Sequence, residues 1–242
     1  KNTSSFINSV VEARKYENLG LIERKMGRYF HSALIDNGKC YGVVLYNDIN
    51  QAMELELSDA VVVATGGQNA LFGKTTGSVL CDGYVAGKLF TQGAILRNLE
   101  FIQYHPTTIE TSQKRMLITE ACRGEGGRLY YLDGDKKIYF MEDIYGPMGN
   151  LMPRDIVSKH IYDAPSQVYL DISFLGKQLI ESKLSEVKDL CKKYINLDVT
   201  KDSIPVYPSV HFFMGGLAVN NKHQTNIKNL YIKEVASIKS NA

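Results

Sequence analysis

The sequence predicts a fold of the α/β class, α+β overall, in which strands and amphipathic helices share one chain. Residues 28–57 contain three runs of alternating apolar and polar side chains separated by turn residues, the pattern of a β-meander. Residues 59–65 form a continuous small and β-branched run, which predicts a strand buried on both faces. Apolar side chains recur at helical spacing in residues 5–19, 153–161 and 176–195. Together these patterns predict a mixed fold.

In the first half of the chain, the sequence predicts one helix followed by several strands. The helix over residues 5–19 ends at Gly20, and the meander turns at Asp36-Asn37-Gly38, a hairpin signal. The buried strand runs into Gly66 and Gly67. Two glycines after a strand allow a flat or phosphorylated ligand to approach the backbone, but a tight turn explains them equally well.

A helix of small residues is predicted over residues 83–93, with Asp82 at its start. The local pattern favours Asp82 as the N-cap of this helix. The alternative is that Asp82 accepts a hydrogen bond from a ribityl or ribose hydroxyl. Residues 95–104 predict another strand, and residues 105–108 are expected to close it.

The second half of the chain alternates irregular segments with regular ones. Residues 128–149 predict a long irregular region that is functional or mobile. A strand over residues 168–172 is followed by the helix over 176–195. Residues 199–206 predict a linker. Closing strands are expected at residues 217–220 and 229–232, and the tail, 233–242, shows no clear pattern.

The composition is that of a soluble globular protein, with one large domain or two small ones in 242 residues. A net charge of +2 gives no electrostatic argument for nucleic acid as a partner. No apolar run approaches the length of a membrane span. The four cysteines are dispersed, which indicates reduced thiols of an intracellular protein and predicts no metal site.

Residues 116–127 contain the first candidate cluster. Thr119, Glu120 and Arg123 lie before a Gly-Glu-Gly-Gly segment, and a Glu and an Arg three residues apart meet if the backbone coils. Taken alone, the pair is better explained as a surface ion pair before a turn, because such pairs are common and weak.

Two more residues are candidates because a cation or a polar ring is unusual at their positions in the sequence. Arg154 follows Pro153 at the start of a predicted helix, where the helix dipole disfavours a cation. An anion in front of that end would explain it, although a solvated Arg is an equal alternative. His211 interrupts an apolar run before Gly215 and Gly216, where a buried structural His is the ordinary explanation.

Taken jointly, these features resemble one family, the flavoprotein subunits of fumarate reductase and succinate dehydrogenase. The resemblance covers about residues 37–230 and rests on the order and spacing of several motifs. They are Ala64-Thr65-Gly66-Gly67, Asp82-Gly83, Glu100-Phe101-Ile102-Gln103-Tyr104-His105-Pro106-Thr107, Leu117-Ile118-Thr119-Glu120 with Arg123-Gly124-Glu125-Gly126-Gly127, Pro153-Arg154-Asp155, and Val210-His211-Phe212-Phe213-Met214-Gly215-Gly216.

The resemblance implies a division into three segments. Residues 1–104 are expected to be part of the FAD-binding domain, with the β-meander, the Ala-Thr-Gly-Gly strand and a helix. Residues 105–204 are expected to form an α+β capping domain, and residues 205–242 a truncated return to the FAD domain. The active site of the family lies between the two domains.

The resemblance also implies roles for the candidate residues. Arg154 would donate the proton when fumarate is reduced and accept it when succinate is oxidised, and Glu120 and Arg123 would relay protons to it. His105, Thr119 and His211 would bind substrate carboxylates. The residues expected to contact FAD are Ala64, Thr65, Gly66, Gly67 and Asp82.

Departures from the family pattern predict a fragment. The dinucleotide fingerprint Gly-x-Gly-x-x-Gly, the segment with the flavin-linking His and a second substrate Arg are all absent from the 242 residues. The chain alone is therefore expected to be soluble, to hold no FAD tightly and to be inactive. For the parent protein, the resemblance implies an iron–sulfur subunit and a membrane quinone-reactive subunit as partners. It also implies a peripheral position on the cytoplasmic membrane, on the cytoplasmic side.

Two alternatives stay open from the sequence. L-aspartate oxidase shares the fold and similar motifs, and Met214 favours the dicarboxylate enzymes over it. A truncated, non-catalytic module that docks to an iron–sulfur partner is the other. The direction of the reaction cannot be told from these residues, because both directions use the same side chains.

Overall fold

The computed structural model describes residues 2–233 and 237–239, and it confirms the mixed α/β class. The helices in these residues are α1 Asn2–Asn18, α2 Tyr84–Thr91, α3 Ala121–Gly124, α4 Phe140–Tyr145, α5 Arg154–Tyr162, α6 Lys177–Lys183 and α7 Ser185–Ile195. The strands are β1 Arg28–Asp36, β2 Lys39–Asn47, β3 Ala52–Leu57, β4 Val61–Val63, β5 Leu96–Arg97, β6 Ile102–Glu110, β7 Arg115–Leu117, β8 Arg128–Asp133, β9 Lys136–Ile138, β10 Val168–Asp171, β11 Ile204–Pro205, β12 Tyr207–Phe213, β13 Gly216–Val219, β14 Leu230–Ile232 and β15 Ser237–Lys239.

The N-terminal helix and the meander form as predicted. Helix α1 ends before Gly20, whose φ of 70° a residue with a Cβ rarely adopts. The β1–β2 hairpin turns at Asn37 and Gly38, both with positive φ, as this turn type requires. Val11, an apolar side chain of α1, is 48% exposed.

The buried apolar side chains of the described residues form two hydrophobic cores. One is built from residues between 109 and 206, including Ile118, Leu170 and Val187. The other combines residues between 33 and 94 with residues between 217 and 232, and Leu89 and Leu217 lie at its centre. Chain segments far apart in sequence therefore close the second core. The domain boundaries expected from the sequence stay a prediction.

The prediction of a strand buried on both faces was wrong. Strand β4 has three residues and pairs with β14 alone, in parallel register. Val63 is buried, but Val62 is 64% exposed because no described element covers its face. The segment from Ala64 to Gly67 follows the strand as a loop.

The prediction for residues 95–108 was also wrong. The segment contains two strands, β5 and β6, separated by a turn in which Asn98 has a φ of 53°. His105, Pro106 and Thr107 continue β6 rather than closing it. The opposing strand β12 shifts its register between Tyr207 and Ser209, so no ladder bond is required from Pro106.

Residues 128–149 are ordered, against the prediction of an irregular region. They form β8, β9 and α4, followed by a 3-10 turn over Gly146–Leu151. Tyr130 stacks on Tyr169 of the neighbouring strand with ring centroids 5.6 Å apart. The Arg128 guanidinium forms an ion pair with Glu142 across the same unit. Stacked tyrosines and this ion pair supply the order that composition alone did not reveal.

Three further boundaries differ from the prediction. The helix expected over 176–195 is broken into α6 and α7 at Leu184, whose buried side chain draws both helices onto one core. The expected linker includes β11, which pairs with β10. The patternless tail includes β15, parallel to β13, while the predicted tail residues 234–236 and 240–242 lie outside the described residues.

Gly149 packs closely against the backbone of α4. A Cβ at this position would lie 2.0 Å from the Met141 carbonyl oxygen. We therefore expect Gly149→Ala to lower the free energy of unfolding by at least about 2 kcal/mol, because backbone would have to move. Urea unfolding of the 242-residue chain measures this.

Gly87→Ala is the matched control, because Gly87 is in helix α2 and a Cβ there has open space. It should be neutral or stabilising by up to about 1 kcal/mol. Equal unfolding midpoints for the two variants would contradict the close approach at Gly149.

No helix within residues 2–233 and 237–239 is long and apolar enough to cross a bilayer.

Candidate active site

The β6–β12 pair brings the two predicted substrate histidines together. His105 lies in β6 opposite Ser209, and its side chain is 1% exposed. His211 falls at a second register shift of β12, between Val210 and Phe212, so it is the extra residue of a β-bulge. The two imidazole centroids lie 5.3 Å apart, edge to face.

Glu120 connects the two predicted catalytic arginines. Arg123 Nη2 donates to Glu120 Oε1 at 3.0 Å, and Arg154 Nη2 donates to Glu120 Oε2 at 2.9 Å. Thr119, the residue before Glu120, is half-buried, and its hydroxyl accepts a hydrogen bond from the Ala121 amide at 3.3 Å. The three residues predicted to move protons therefore form one hydrogen-bonded chain.

Arg154 starts helix α5, and the anion in front of it is Glu120 itself. Its Nε also donates to Glu120 Oε2 at 3.3 Å, and its Nη1 donates to Gln103 Oε1 at 2.9 Å. The Arg154 side chain is 33% exposed, so a ligand can reach it. Fixed on two sides by a carboxylate and an amide, the cation has a defined orientation.

Arg123 occupies the inner end of this chain. Its side chain has no exposed surface, and its Nη1 donates to the Asn150 carbonyl at 2.6 Å. Asn150 is held in turn, because its amide donates to Glu142 Oε1 at 2.8 Å. Within residues 2–233, Arg123 Nε is buried with no hydrogen-bond partner.

Burial and neighbouring cations keep the histidines neutral. Burial lowers the pKa of His105 to about 4, and the neighbouring His211 and Arg154 act in the same direction. Burial and the Arg154 charge also lower the pKa of His211. Conversely, the hydrogen bond from Arg154 lowers the pKa of Glu120, which is therefore ionised at neutral pH.

We expect His105 to make stability depend on pH between about 6.5 and 4. The unfolded chain binds a proton as pH falls through 6.5, whereas the folded chain resists protonation until about pH 4, so stability is lost on acidification. At about 1.36 kcal/mol for each pH unit, the loss is of the order of 3 kcal/mol.

Urea unfolding of the 242-residue chain and of His105→Gln at pH 7.5 and 4.5 measures this effect. The variant should lose distinctly less stability on acidification than the wild type. For each chain, the free energy of unfolding at pH 4.5 is compared with its own value at pH 7.5, which removes the direct effect of the substitution on stability. The same loss in both would contradict the assignment of a buried neutral His105.

The residues predicted to contact FAD lie at the carboxyl end of β4, where ligands of parallel sheets bind. Ala64 and Thr65 are exposed, and Gly66 has a φ of 79°. The prediction of Asp82 as the N-cap of α2 was wrong, because Gly83 occupies that position with a φ of 76°. Asp82 lies one residue earlier, and its Oδ1 accepts a hydrogen bond from the amide of Tyr84, the first residue of the helix, at 2.9 Å. A role of Asp82 toward a ribityl or ribose hydroxyl stays a prediction.

The residues present fit one wall of such a cofactor site. Within residues 2–233, Gln68 Nε2 and Asn69 Oδ1 are buried without a hydrogen-bond partner, directly after Gly66 and Gly67. Buried polar atoms of this kind are costly unless a ligand or water pairs with them. The cavity between this loop and the start of α2 has about 20 Å³, room for one water. It cannot enclose any ring of FAD.

A larger groove of about 940 Å³ lies beside Arg154. Gln103, Arg154 and Met214 line it together with the apolar side chains of Ile102 and Tyr104. The groove is large enough for a planar ring system or a dicarboxylate next to the guanidinium.

Sequence reasoning missed three contributors to the site. Gln103 lies in the Glu100–Thr107 motif, two residues before His105. Because alternate residues of a strand share a face, this spacing could have predicted that Gln103 belongs to the site. Asn150 and Thr76 were not assigned roles, although Asn150 supports Arg123 and the Thr76 hydroxyl lies 2.7 Å from His211 Nδ1. Nothing local in the sequence marks these two contacts, because each joins distant segments.

The chain is similar in sequence to known flavoproteins. A family profile described as FAD binding domain matches residues 12–232. The chain is 38% identical over 231 residues to the succinate dehydrogenase flavoprotein subunit of Bacillus subtilis (strain 168), covering 91% of this chain and 39% of that protein. It is 37% identical over 213 residues to L-aspartate oxidase of Nostoc sp. (strain PCC 7120 / SAG 25.82 / UTEX 2576), covering 84% of this chain and 36% of that protein.

A solved structure described as quinol-fumarate reductase with menaquinol molecules has a similar fold. The TM-score is 0.76 at 32% sequence identity, over 87% of this chain and 39% of that chain. The chain thus spans about two fifths of the length of the relatives it matches. Because the profile covers nearly all of the sequence, the chain belongs to the FAD binding domain family.

Proposed function

We propose that the chain is part of a flavoprotein that interconverts fumarate and succinate. The observation that carries the proposal is the hydrogen-bonded chain from Arg123 through Glu120 to Arg154, next to two neutral histidines. Bound FAD would supply the acceptor and donor of the hydride in this chemistry, and Ala64, Thr65, Gly66, Gly67 and Asp82 would contact it.

The substrate is a dianion, so its two carboxylates need donors. Neutral imidazoles donate one N–H each, and His105 and His211 would bind carboxylate oxygens in this way. The Thr119 hydroxyl would provide a further donor. The positive charge of Arg154 would offset the charge of the substrate at one end. Because both imidazoles are neutral, the reacting carbon would face the single positive charge of Arg154 rather than three positive charges.

Arg154 would transfer the proton. A guanidinium holds its proton tightly, so it can release it only to a strong base such as a carbon with developing negative charge. In fumarate reduction one carbon receives the hydride and the other receives this proton. In succinate oxidation a C–H proton returns to Arg154 as the hydride leaves from the neighbouring carbon. Glu120 is ionised, half exposed and hydrogen-bonded to Arg154, so after fumarate reduction it would take a proton from solvent and pass it to Arg154. In succinate oxidation the proton would pass from Arg154 through Glu120 to solvent, with Arg123 at the buried end of the relay.

The names of the similar proteins support a proposal for the partners and location of the complete protein. Relatives are named as flavoprotein subunits, and one solved structure contains menaquinol. We propose an iron–sulfur subunit and a membrane quinone-reactive subunit as partners of the complete protein. The complete protein would lie on the cytoplasmic side of the membrane surface. The alternative of a non-catalytic docking module predicts the same partners without turnover.

A second candidate function is L-aspartate oxidation, favoured by the identity of 37% to the Nostoc enzyme. The two functions differ at one carbon of the substrate, where aspartate has an ammonium group beside the cationic Arg154. The groove beside Arg154 offers Asp155 and Asp163 as carboxylates for such an ammonium, and Lys159 as a competing cation.

The test measures dye reduction by the complete polypeptide encoded by the gene, purified with FAD. With succinate, kcat/KM should exceed the value with L-aspartate by about a hundredfold or more. Faster oxidation of L-aspartate would assign the second function, and failure with both substrates at full FAD occupancy would support a docking module. The 242-residue chain assayed alone should give no turnover, because its described residues form only one wall of the flavin site.

A further inference from the structure

The His211 ring is held by a residue of a distant loop. Thr76 Oγ1 lies 2.7 Å from His211 Nδ1, a full hydrogen bond between residues 135 positions apart. The Thr76 backbone amide also donates to the Val210 carbonyl at 3.0 Å. The same residue therefore bonds both the bulged strand and the side chain that the bulge presents.

The loop around Thr76 is fixed on several sides, so this contact is not an accident of a free side chain. Thr75 Oγ1 donates to the Val210 carbonyl at 2.9 Å and accepts from the Gly77 amide at 3.0 Å. Ser209 Oγ donates to the Lys74 carbonyl at 2.6 Å. Both threonines thus lie against β12, but only Thr76 reaches the imidazole.

A neutral imidazole has one N–H, and the partner of one nitrogen decides where that proton lies. If Thr76 donates its hydroxyl proton to Nδ1, the ring proton lies on Nε2. If instead Nδ1–H donates to Thr76, Nε2 keeps a lone pair that repels a carboxylate. His211 is half-buried close to the charge of Arg154, which favours the neutral ring and so makes the tautomer matter.

We propose that Thr76 is a positioning residue that donates to Nδ1 of His211 and holds the ring as the Nε2–H tautomer. The Nε2–H group is then available to a substrate carboxylate, a step that rests on the proposed function. The proposal concerns His211 alone, because Nδ1 of His105 has backbone partners in its own strand, the Thr107 carbonyl at 3.1 Å and the Thr107 amide at 3.3 Å.

The direct test is the tautomer itself. Long-range ¹H–¹⁵N correlation spectra of ¹⁵N-histidine-labelled 242-residue chain at pH 7.5 distinguish Nε2–H from Nδ1–H rings, and His211→Gln assigns the signals. Wild type and Thr76→Ser should give the Nε2–H pattern for His211. Thr76→Val should give a mixture or the other tautomer. An Nδ1–H pattern in wild type, or the same pattern in wild type and Thr76→Val, would overturn the proposal.

Thr75→Val is the matched control, because it removes a hydroxyl from the same loop without touching the imidazole. Thr75→Val should leave the His211 tautomer unchanged. If Thr76→Val does not fold, Thr76→Ala is measured in its place. A tautomer change in Thr75→Val equal to that in Thr76→Val would overturn the proposal in favour of a loop effect.

A second readout uses the complete polypeptide with FAD. Thr76→Val should raise KM for succinate about tenfold with a smaller change in kcat, whereas Thr76→Ser should stay near wild type. Absence of succinate turnover in the wild type would refute the proposed function and leave the tautomer result standing. If the wild type turns over and the KM for succinate is equal in wild type, Thr76→Val and Thr76→Ser, the role of Thr76 is refuted instead.

Discussion

Replacing Arg154 by Lys in the complete, FAD-loaded polypeptide is expected to lower kcat for succinate oxidation by about a thousandfold or more. The guanidinium makes three hydrogen bonds at once, two to Glu120 and one to Gln103. An ammonium on a flexible chain cannot keep both partners and present a proton in a fixed direction. Initial rates of dye reduction at saturating succinate measure the loss.

Lys188→Arg is the control for this substitution. Lys188 is a basic residue of α7 paired with Glu181, on the outer surface and outside the site. Its replacement should leave kcat unchanged. Arg154→Lys with more than about a tenth of wild-type kcat would remove Arg154 from the proton-transfer role, since general acid catalysis contributes at least about a hundredfold.

Glu120→Gln is expected to lower kcat by about a hundredfold or more, with a much smaller change in KM. Glu120 accepts hydrogen bonds from both arginines, and its pKa is lowered chiefly by the bond from Arg154, so it works as a carboxylate. An amide cannot return a proton to Arg154. The amide also leaves the fully buried Arg123 without a carboxylate, so the unfolding midpoint should fall.

Glu125→Gln tests whether any carboxylate in this segment has the same effect. Glu125 follows α3 and pairs with Lys183 at the surface, so its loss should change neither kcat nor the midpoint by much. Glu120→Asp should recover part of kcat because the charge is kept at a shorter reach. Equal rates for Glu120→Gln and Glu125→Gln would rule out the relay.

The sequence predicted the contacts that local geometry controls. Glu120 and Arg123 are three residues apart and meet across a short helix, as their spacing indicated. The hairpin at Asn37 and Gly38 follows from two residues that tolerate positive φ. Asp82 accepts a hydrogen bond from the amide of Tyr84, the first residue of α2, two positions later. In each case the partner lies within one turn of the chain.

The contacts that make the site depend on strand register, which local sequence does not encode. His211 reaches His105 because β12 contains a bulge at that residue, and no residue type announces a bulge there. Pro106 was interpreted as the end of a strand, whereas the register shift opposite it allows the strand to continue. Arg154 reaches Glu120 over 34 positions, so only the resemblance to known flavoproteins predicted their pairing.

The central claim is that His105, Thr119, His211 and Arg154 surround one dicarboxylate. The most direct measurement is a structure of the complete, FAD-loaded polypeptide with malonate, a non-reactive dicarboxylate. We expect malonate oxygens at about 3 Å from ring nitrogens of His105 and His211 and from the Arg154 guanidinium. Malonate bound elsewhere, or an empty site at saturating malonate, would contradict the account.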